Sequence, residues 1–424
     1  MATTPLPSYL PPADIPPSPT TVEVSIIDSS TRINGLCTHL LFSDPIPGFD
    51  MIDDMPSWAF LISHSSGIKL LFDGGARVDW KTQAPPAVRQ EIEEYQWTVT
   101  VQKGIDQILC EGDVEINQIS GMIWSHMHWD HVADLTRFPT DMPLIVGPGF
   151  IEEFSPGWPE DKESTLDSRA WSNGRPLIEL GGLNSTQTAS TTSQCHDRLP
   201  SNATLVDYLD RASTLTIADL LAIDVFSDGS FYLLSTPGHV PAHLCALART
   251  GSGLSPSTSE FILLAADAFD NSGQIRPSPH VPLSDYLIRA LSSTPNGQTL
   301  LSRTQRSILD TAKAMYNHPF LCPEAENIPR AENSLRGIMQ LDARPDVLTL
   351  CAHEKYHLFT HENGNGTGIP FFPAQLNRWC YPEGNGYTNG KQHQGKKNLR
   401  EQLFWWFIRD YGVSVPATTL AEGT

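Results

Sequence analysis

The chain has 424 residues, 40% of them hydrophobic and 18% charged, the balance of a folded protein able to bury a large core. A formal charge of -20, with no basic cluster to offset it, argues against a nucleic-acid partner, since that affinity rests on Lys and Arg. No apolar run approaches the roughly 20 residues that span a bilayer, so no membrane partner is expected.

The first 20 residues, MATTPLPSYLPPADIPPSPT, hold seven prolines and no positive residue. They read as a polyproline-like strap or as disorder, and not as a secretory signal or transit peptide. Residues 21–27, TVEVSII, alternate like a half-buried strand. SWAFLISHS (57–65) and IKLLFDGG (68–75) are apolar runs joined by a Ser-Gly turn, a hairpin signature. Residues 90–113 are broken but mostly helical in their spacing. ISGMIW (119–124) reads as a short buried strand, a helix is expected to begin in HVADLTRF (131–138), and PLIVGPGF (143–150) is a further strand and turn.

Residues 155–222 are polar and low in complexity, and are expected to be an insertion that does not pack. Two or three strands follow over 222–247, then EFILLAADAF (260–269) as a strand ending on an aspartate. Residues 330–354 read as a helix and a strand ending on a histidine. NLREQLFWWFIRDYG (398–412) reads as a helix with Leu399, Leu403, Trp406 and Phe407 along one side, suited to core packing. Seven scattered cysteines without a CxxC pair fit reduced thiols, so a cytoplasmic setting is expected.

One stretch stands apart. SHMHWDH (125–131) crowds three of the chain's 14 histidines and an aspartate into seven residues. In an extended loop His126 and His128 point the same way and can share an ion, and the turn at Asp130–His131 aims two more donors at a neighbouring position. Nitrogen and oxygen donors without thiolate suit Zn²⁺, with Mn²⁺, Fe²⁺ or Co²⁺ as alternatives. Two ions need further ligands, and these stand just past strand ends in order: His239 in STPGH, Asp267 in LLAADAF and His353 in LTLCAHE. His243 and His357, four residues beyond two of these, read as structural. Asp73 in LFDGG either braces the ligand loop or caps a turn, and Trp124 and Trp129 flank the loop as core or as pocket wall.

In SHMHWDH, TPGH, AAD and AHE, and in LLFDGG before them, the chain resembles the metallo-β-lactamase-fold hydrolase superfamily over roughly residues 20–375. The resemblance implies an α/β fold, an αββα sandwich of one domain (21–380) with an insertion at about 155–222. The Pro-rich segment (1–20) precedes it and a C-terminal loop and helix (381–424) follow. By resemblance, His126, His128 and His239 would hold one ion, Asp130, His131 and His353 the second, and Asp267 would bridge two divalent ions, expected to be Zn²⁺. ADAFDNSGQIRPSPHVPL (266–283), QLDARPDVLTLCAHE (340–354) and IPFFPAQLNRW (369–379) look like the lactonase branch, whose fungal relatives also open cyclic amides or carbamates of benzoxazolinone type. Quorum-quenching lactonases place a tyrosine three residues after the bridging aspartate, where this chain has Asp270. That departure puts homoserine lactones in doubt, and Tyr286 or Tyr356 is the candidate replacement.

The expected activity is therefore hydrolysis of a lactone or lactam ring of a small molecule through a metal-bridging hydroxide, made available because two cations lower the pKa of a shared water to about 7. Asp130 would orient the hydroxide and shuttle a proton. A role in detoxification of plant-defence compounds or in fungal secondary metabolism follows from the same resemblance. A lactam needs its leaving nitrogen protonated, and no residue in the sequence declares itself as that acid. The alternatives are an acyl-carrier thioesterase, which the charge of -20 disfavours, and a mononuclear iron persulfide oxygenase, which would use fewer ligands. Oligomeric state is left open.

Overall fold

Seven strands form the first sheet, in the order β6 (Thr98–Val101), β1 (Val22–Asn34), β4 (Met55–His64), β5 (Lys69–Phe72), β7 (Gly121–Ile123), β8 (Leu144–Val146) and β9 (Leu177–Glu179). Six form the second: β10 (Ser213–Ile217), β11 (Leu220–Asp224), β12 (Phe231–Ser235), β13 (Leu244–Gly251), β14 (Glu260–Ala266) and β15 (Val347–Cys351). A small pair, β2 (Leu36–Cys37) and β3 (Met51–Ile52), lies beside them. The structure is a computed structural model and describes residues 13–42, 48–181, 203–251, 259–299, 301–302, 325–355, 371–377, 400 and 404–410.

Successive side chains of a strand face opposite ways, and here both faces are covered. Ile26, Phe60 and Phe72 meet Leu233, Ile262 and Leu350 between the sheets. Their neighbours Ile27, Leu61 and Leu71 turn outward onto Ile105 and Leu109 of the Ile105–Glu111 helix. On the far side Leu247 and Leu263 cover Leu335, Ile338 and Leu341 of the Ile328–Asp342 helix. The result is the expected αββα sandwich, and it explains why FILLAA has no polar residue: the strand has no solvent face.

The Pro-rich segment is a strap where it is described. Arg344 Nη1 donates to Ala13 O at 2.6 Å, Arg249 Nη2 to Pro16 O, and Ser18 Oγ to Asp228 O. Residues 1–12 lie outside the described residues.

Four expectations change. Residues 90–113 are broken by a strand where mostly helix was expected: α1 (Trp80–Gln83) and α2 (Pro86–Glu94) lead into β6, and the Ile105–Glu111 helix follows. In Thr98–Val101 the β-branched alternation wins, with Val99 buried against the sheet. HVADLTRF makes only a 3-10 turn at Leu135–Arg137, because Pro139 forces Phe138 into the extended region. Residues 155–222 are not a packing-free insertion: β9 completes the first sheet, and β10 and β11 begin the second. Of that stretch, residues 182–202 lie outside the described ones. From 398–412, the described Trp406–Arg409 is a 3-10 turn, and Phe404, Trp405, Phe407 and Ile408 are buried in the inter-sheet core. Leu399 and Leu403 lie outside the described residues. Among the described residues no helix is long and apolar enough to cross a membrane.

Candidate metal centre

Strand register brings the distant donors to one edge. β5 and β7 pair in parallel, Phe72 opposite Ile123, so Asp73 leaves its strand beside the start of the histidine loop and donates its N–H to Ile123 O. β14 and β15 are also parallel, with Ala266 opposite Cys351, so Asp267 and His353 emerge together. His239 follows β12 through Pro237 and Gly238. Gly238 has φ +143, and a Cβ there would stand 2.1 Å from Ala331 N, so a glycine lets this loop close against the long helix.

All seven residues singled out from the sequence converge, in two sets that share a carboxylate. His126 Nε2 and His239 Nε2 lie 3.0 and 3.1 Å from His128 Nδ1. Asp130 Oδ2 lies 3.6 Å from His131 Nε2 and 3.7 Å from His353 Nε2. Between the sets, Asp267 Oδ2 is 2.9 Å from His353, 3.1 Å from His131, 3.4 Å from His126 and 3.9 Å from His239. Ligands held about 2.0–2.1 Å from a tetrahedral Zn²⁺ stand about 3.3 Å apart, and these separations bracket that value. Three ring nitrogens facing one another cannot all be satisfied by each other's protons. His131 Nε2 and Asp267 Oδ1 are buried with no hydrogen-bond partner among the described residues. A cation would satisfy these atoms at once, so the residues fit a metal.

The outer partners fix which nitrogen faces inward. His353 Nδ1 donates to Pro56 O at 2.7 Å, His131 Nδ1 meets Asp73 Oδ2 at 3.0 Å, and His126 Nδ1 meets Ser125 Oγ at 2.9 Å. Each leaves its Nε2 lone pair for the site. Burial holds His126, His128 and His239 below the ordinary histidine range, as neutral donors. Burial also opposes charge on His131 and His353, but Asp267, Asp130 and Asp73 outweigh it at His131, and Asp267 and Asp130 raise His353 to about 9. These carboxylates draw from a proton the positive charge that a cation would supply.

Asp73 is thus a bracing residue and not merely a turn cap. It accepts from Ser125 N and Oγ, both at 2.7 Å, and sits at φ +59. Asp73→Asn is expected to weaken metal affinity about 10–100-fold, measured by competitive metal titration. Sequence reasoning missed Ser57, whose Oγ donates to Asp130 Oδ2 at 2.6 Å. It comes from β4, 73 residues away, as an unremarkable serine in an apolar strand, and carries no local signal.

The other candidates divide. His243 is buried and bonds Thr236 Oγ1 at 2.8 Å, outside both sets. Trp124 packs edge-on to Trp171 in the outer core, whereas Trp129 lines a cleft with Trp80, Val88 and Ala133. Tyr286 is 38% exposed on the Asp285–Ser292 helix. Tyr356 and His357 lie outside the described residues. Asp270 is buried close to Asp267 and His353; burial, then the Asp267 charge, pushes its carboxyl up to about 7.

The architecture and its convergent His/Asp sets define a metal-dependent hydrolase. The chain belongs to the metallo-beta-lactamase superfamily, whose profile matches residues 52–254. It is 30% identical to "Gamma-lactamase FDB1" of Fusarium pseudograminearum over 95% of this chain and 85% of that one. It is 33% identical to "Metallo-hydrolase mfmC" of Annulohypoxylon moriforme over 97% of this chain and 93% of that one. A crystal structure of B. thuringiensis AiiA with N-decanoyl-L-homoserine at its active site aligns with 84% of this chain and 99% of that one, at 16% identity and a TM-score of 0.49.

Proposed function

We propose that the chain opens the lactone or lactam ring of a small molecule at a pair of divalent ions, expected to be zinc. The carrying observation is the shared carboxylate: Asp267 Oδ2 stands within 3.9 Å of four histidine nitrogens drawn from both sets. His126, His128 and His239 would hold one ion, Asp130, His131 and His353 the other, and Asp267 both. Ions so held supply Lewis acidity toward the ring carbonyl and hydroxide at neutral pH. Asp130, steadied by Ser57, orients the attacking oxygen and takes its proton. The gamma-lactamase relative supports the amide arm, and the relatives' fungal sources support a setting in detoxification or secondary metabolism. A cytoplasmic setting belongs to the same proposal and rests on the scattered cysteines.

The test is proton release by the zinc-loaded protein against a homoserine lactone, a benzoxazolinone-type carbamate and an acyl thioester, with His239→Ala as control. Turnover of ring compounds alone supports the reading. Turnover of the thioester alone overturns it in favour of an acyl-carrier thioesterase, and bound iron with oxygen uptake in favour of a persulfide oxygenase. Prolonged chelation is expected to abolish hydrolysis, and about two equivalents of Zn²⁺ to restore it, by the coupling of ligand set to metal.

A further inference from the structure

β14 and β15 end side by side, and the chain beyond β14 stays at that edge for one more turn. Asp270 N donates to Gln274 Oε1 at 2.6 Å, and Gln274 Nε2 donates to Leu41 O at 2.9 Å. Ser272 N donates to Glu354 Oε1 at 2.7 Å, and Glu354 is the residue after His353. The turn that carries Asp270 is therefore fixed to the strand end that carries His353. A third donor set results, with one ligand atom each from Asp267, Asp270 and His353, all within 4.8 Å of one another. An ion held at about 2.0–2.6 Å spans donors up to about 4–5 Å apart, so these three can meet on one cation.

Nothing else among the described residues uses the Asp270 carboxyl. Its Oδ2 is buried with no hydrogen-bond partner, and so is Asp267 Oδ1. Asp270 is only 7% exposed, so bulk water does not solvate that oxygen. Two neighbouring carboxylates buried in this way are costly without a cation, and a divalent ion offsets both charges.

The set differs in kind from its neighbour. Asp130, His131 and His353 offer one oxygen and two nitrogens, whereas Asp267, Asp270 and His353 offer two oxygens and one nitrogen. Imidazole suits Zn²⁺, and carboxylate suits harder ions such as Mn²⁺. His353 cannot serve both sets at once, because its Nδ1 is bonded to Pro56 O and only Nε2 remains. We propose that Asp270, with Asp267 and His353, forms an alternative seat for the second ion, which Mn²⁺ takes in preference to the Asp130–His131–His353 seat. The assignment rests on the two-ion reading and adds no third ion. The second ion chooses between two seats according to its hardness, and His353 is common to both.

The experiment loads the metal-free wild type with one equivalent of Zn²⁺ and then adds Mn²⁺, whose electron–nuclear double resonance counts the bound histidine nitrogens. One nitrogen is expected, from His353. Two, from His131 and His353, or three, from the other histidine set, overturn the assignment. A second arm titrates wild type and Asp270→Asn with each metal against a competing chelator. The substitution keeps the volume and removes the charge. Affinity for Mn²⁺ as the second ion is expected to fall about 10–100-fold, and affinity for Zn²⁺ there less than about threefold. Equal losses for the two metals, or no loss for Mn²⁺, overturn the assignment. The first arm uses wild type alone, so it decides even if the variant fails to fold. If wild type holds fewer than two ions, the two-ion reading falls first and this assignment with it; if it holds two, only the assignment is at stake.

Discussion

Asp267→Asn is expected to yield a folded chain that retains less than about one divalent ion and loses at least about 1,000-fold in kcat/KM, near 4 kcal/mol of transition-state stabilisation. Asp267 Oδ2 is the atom within 3.9 Å of nitrogens from both histidine sets. An amide oxygen keeps the volume but carries no charge, so two adjacent cations lose the anion that offsets their repulsion. The burial of Asp267 already disfavours its charge, and His131, His353 and His126 more than reverse this, holding its carboxyl far below the ordinary range. Metal analysis beside hydrolysis assays checks the prediction. Wild-type metal content with unimpaired turnover would remove Asp267 from the centre.

The largest expected effect on stability lies elsewhere, at a buried ion pair that ties the C-terminal segment to the sandwich. Arg276 Nε and Nη2 reach both oxygens of Asp342 at 2.8 and 2.5 Å, and Nη1 donates to Phe404 O at 2.7 Å. Its guanidinium also lies 3.9 Å from the Phe404 ring centre. Arg276→Ala strands a buried carboxylate and a carbonyl, and is expected to cost about 3–5 kcal/mol, read as a lower denaturant midpoint. Replacing both partners by apolar residues of similar volume is expected to cost much less, because no charge is left unpaired. Burial works against charge on Asp342, but Arg276 outweighs it and the carboxyl titrates below its ordinary value. A depressed carboxyl contributes stability above its unfolded pKa of about 3.9, and the contribution is lost as pH falls through the folded value. The difference between Arg276→Ala and wild type is therefore expected to be full at neutral pH and to narrow as pH falls through the folded value of Asp342.

The site was legible to unequal depths. His126, His128, Asp130 and His131 declare themselves because a loop of seven residues can present several donors without help from the rest of the chain. His239, Asp267 and His353 show as polar residues ending apolar runs, a signal that becomes specific only beside the histidine loop. Ser57 and the Pro56 carbonyl have no such signal, since a serine or a backbone oxygen gains its role from where β4 lies and not from its neighbours in sequence. The mostly helical spacing of 90–113 misled at its centre for a related reason. Thr98–Val101 is an edge strand held by four cross-strand positions on β1, and a window along the chain cannot see that partner.

By itself the sequence determined the donor chemistry, the apolar strands and the order in which donors follow them, because these depend on residue type and spacing. Tertiary structure alone decided that two parallel strand pairs deliver Asp73 and Asp267 to the same edge, and that 213–224 joins a sheet. Charge costs and pairings of this kind depend on what desolvates a group, and that is a property of neighbours far away in the chain.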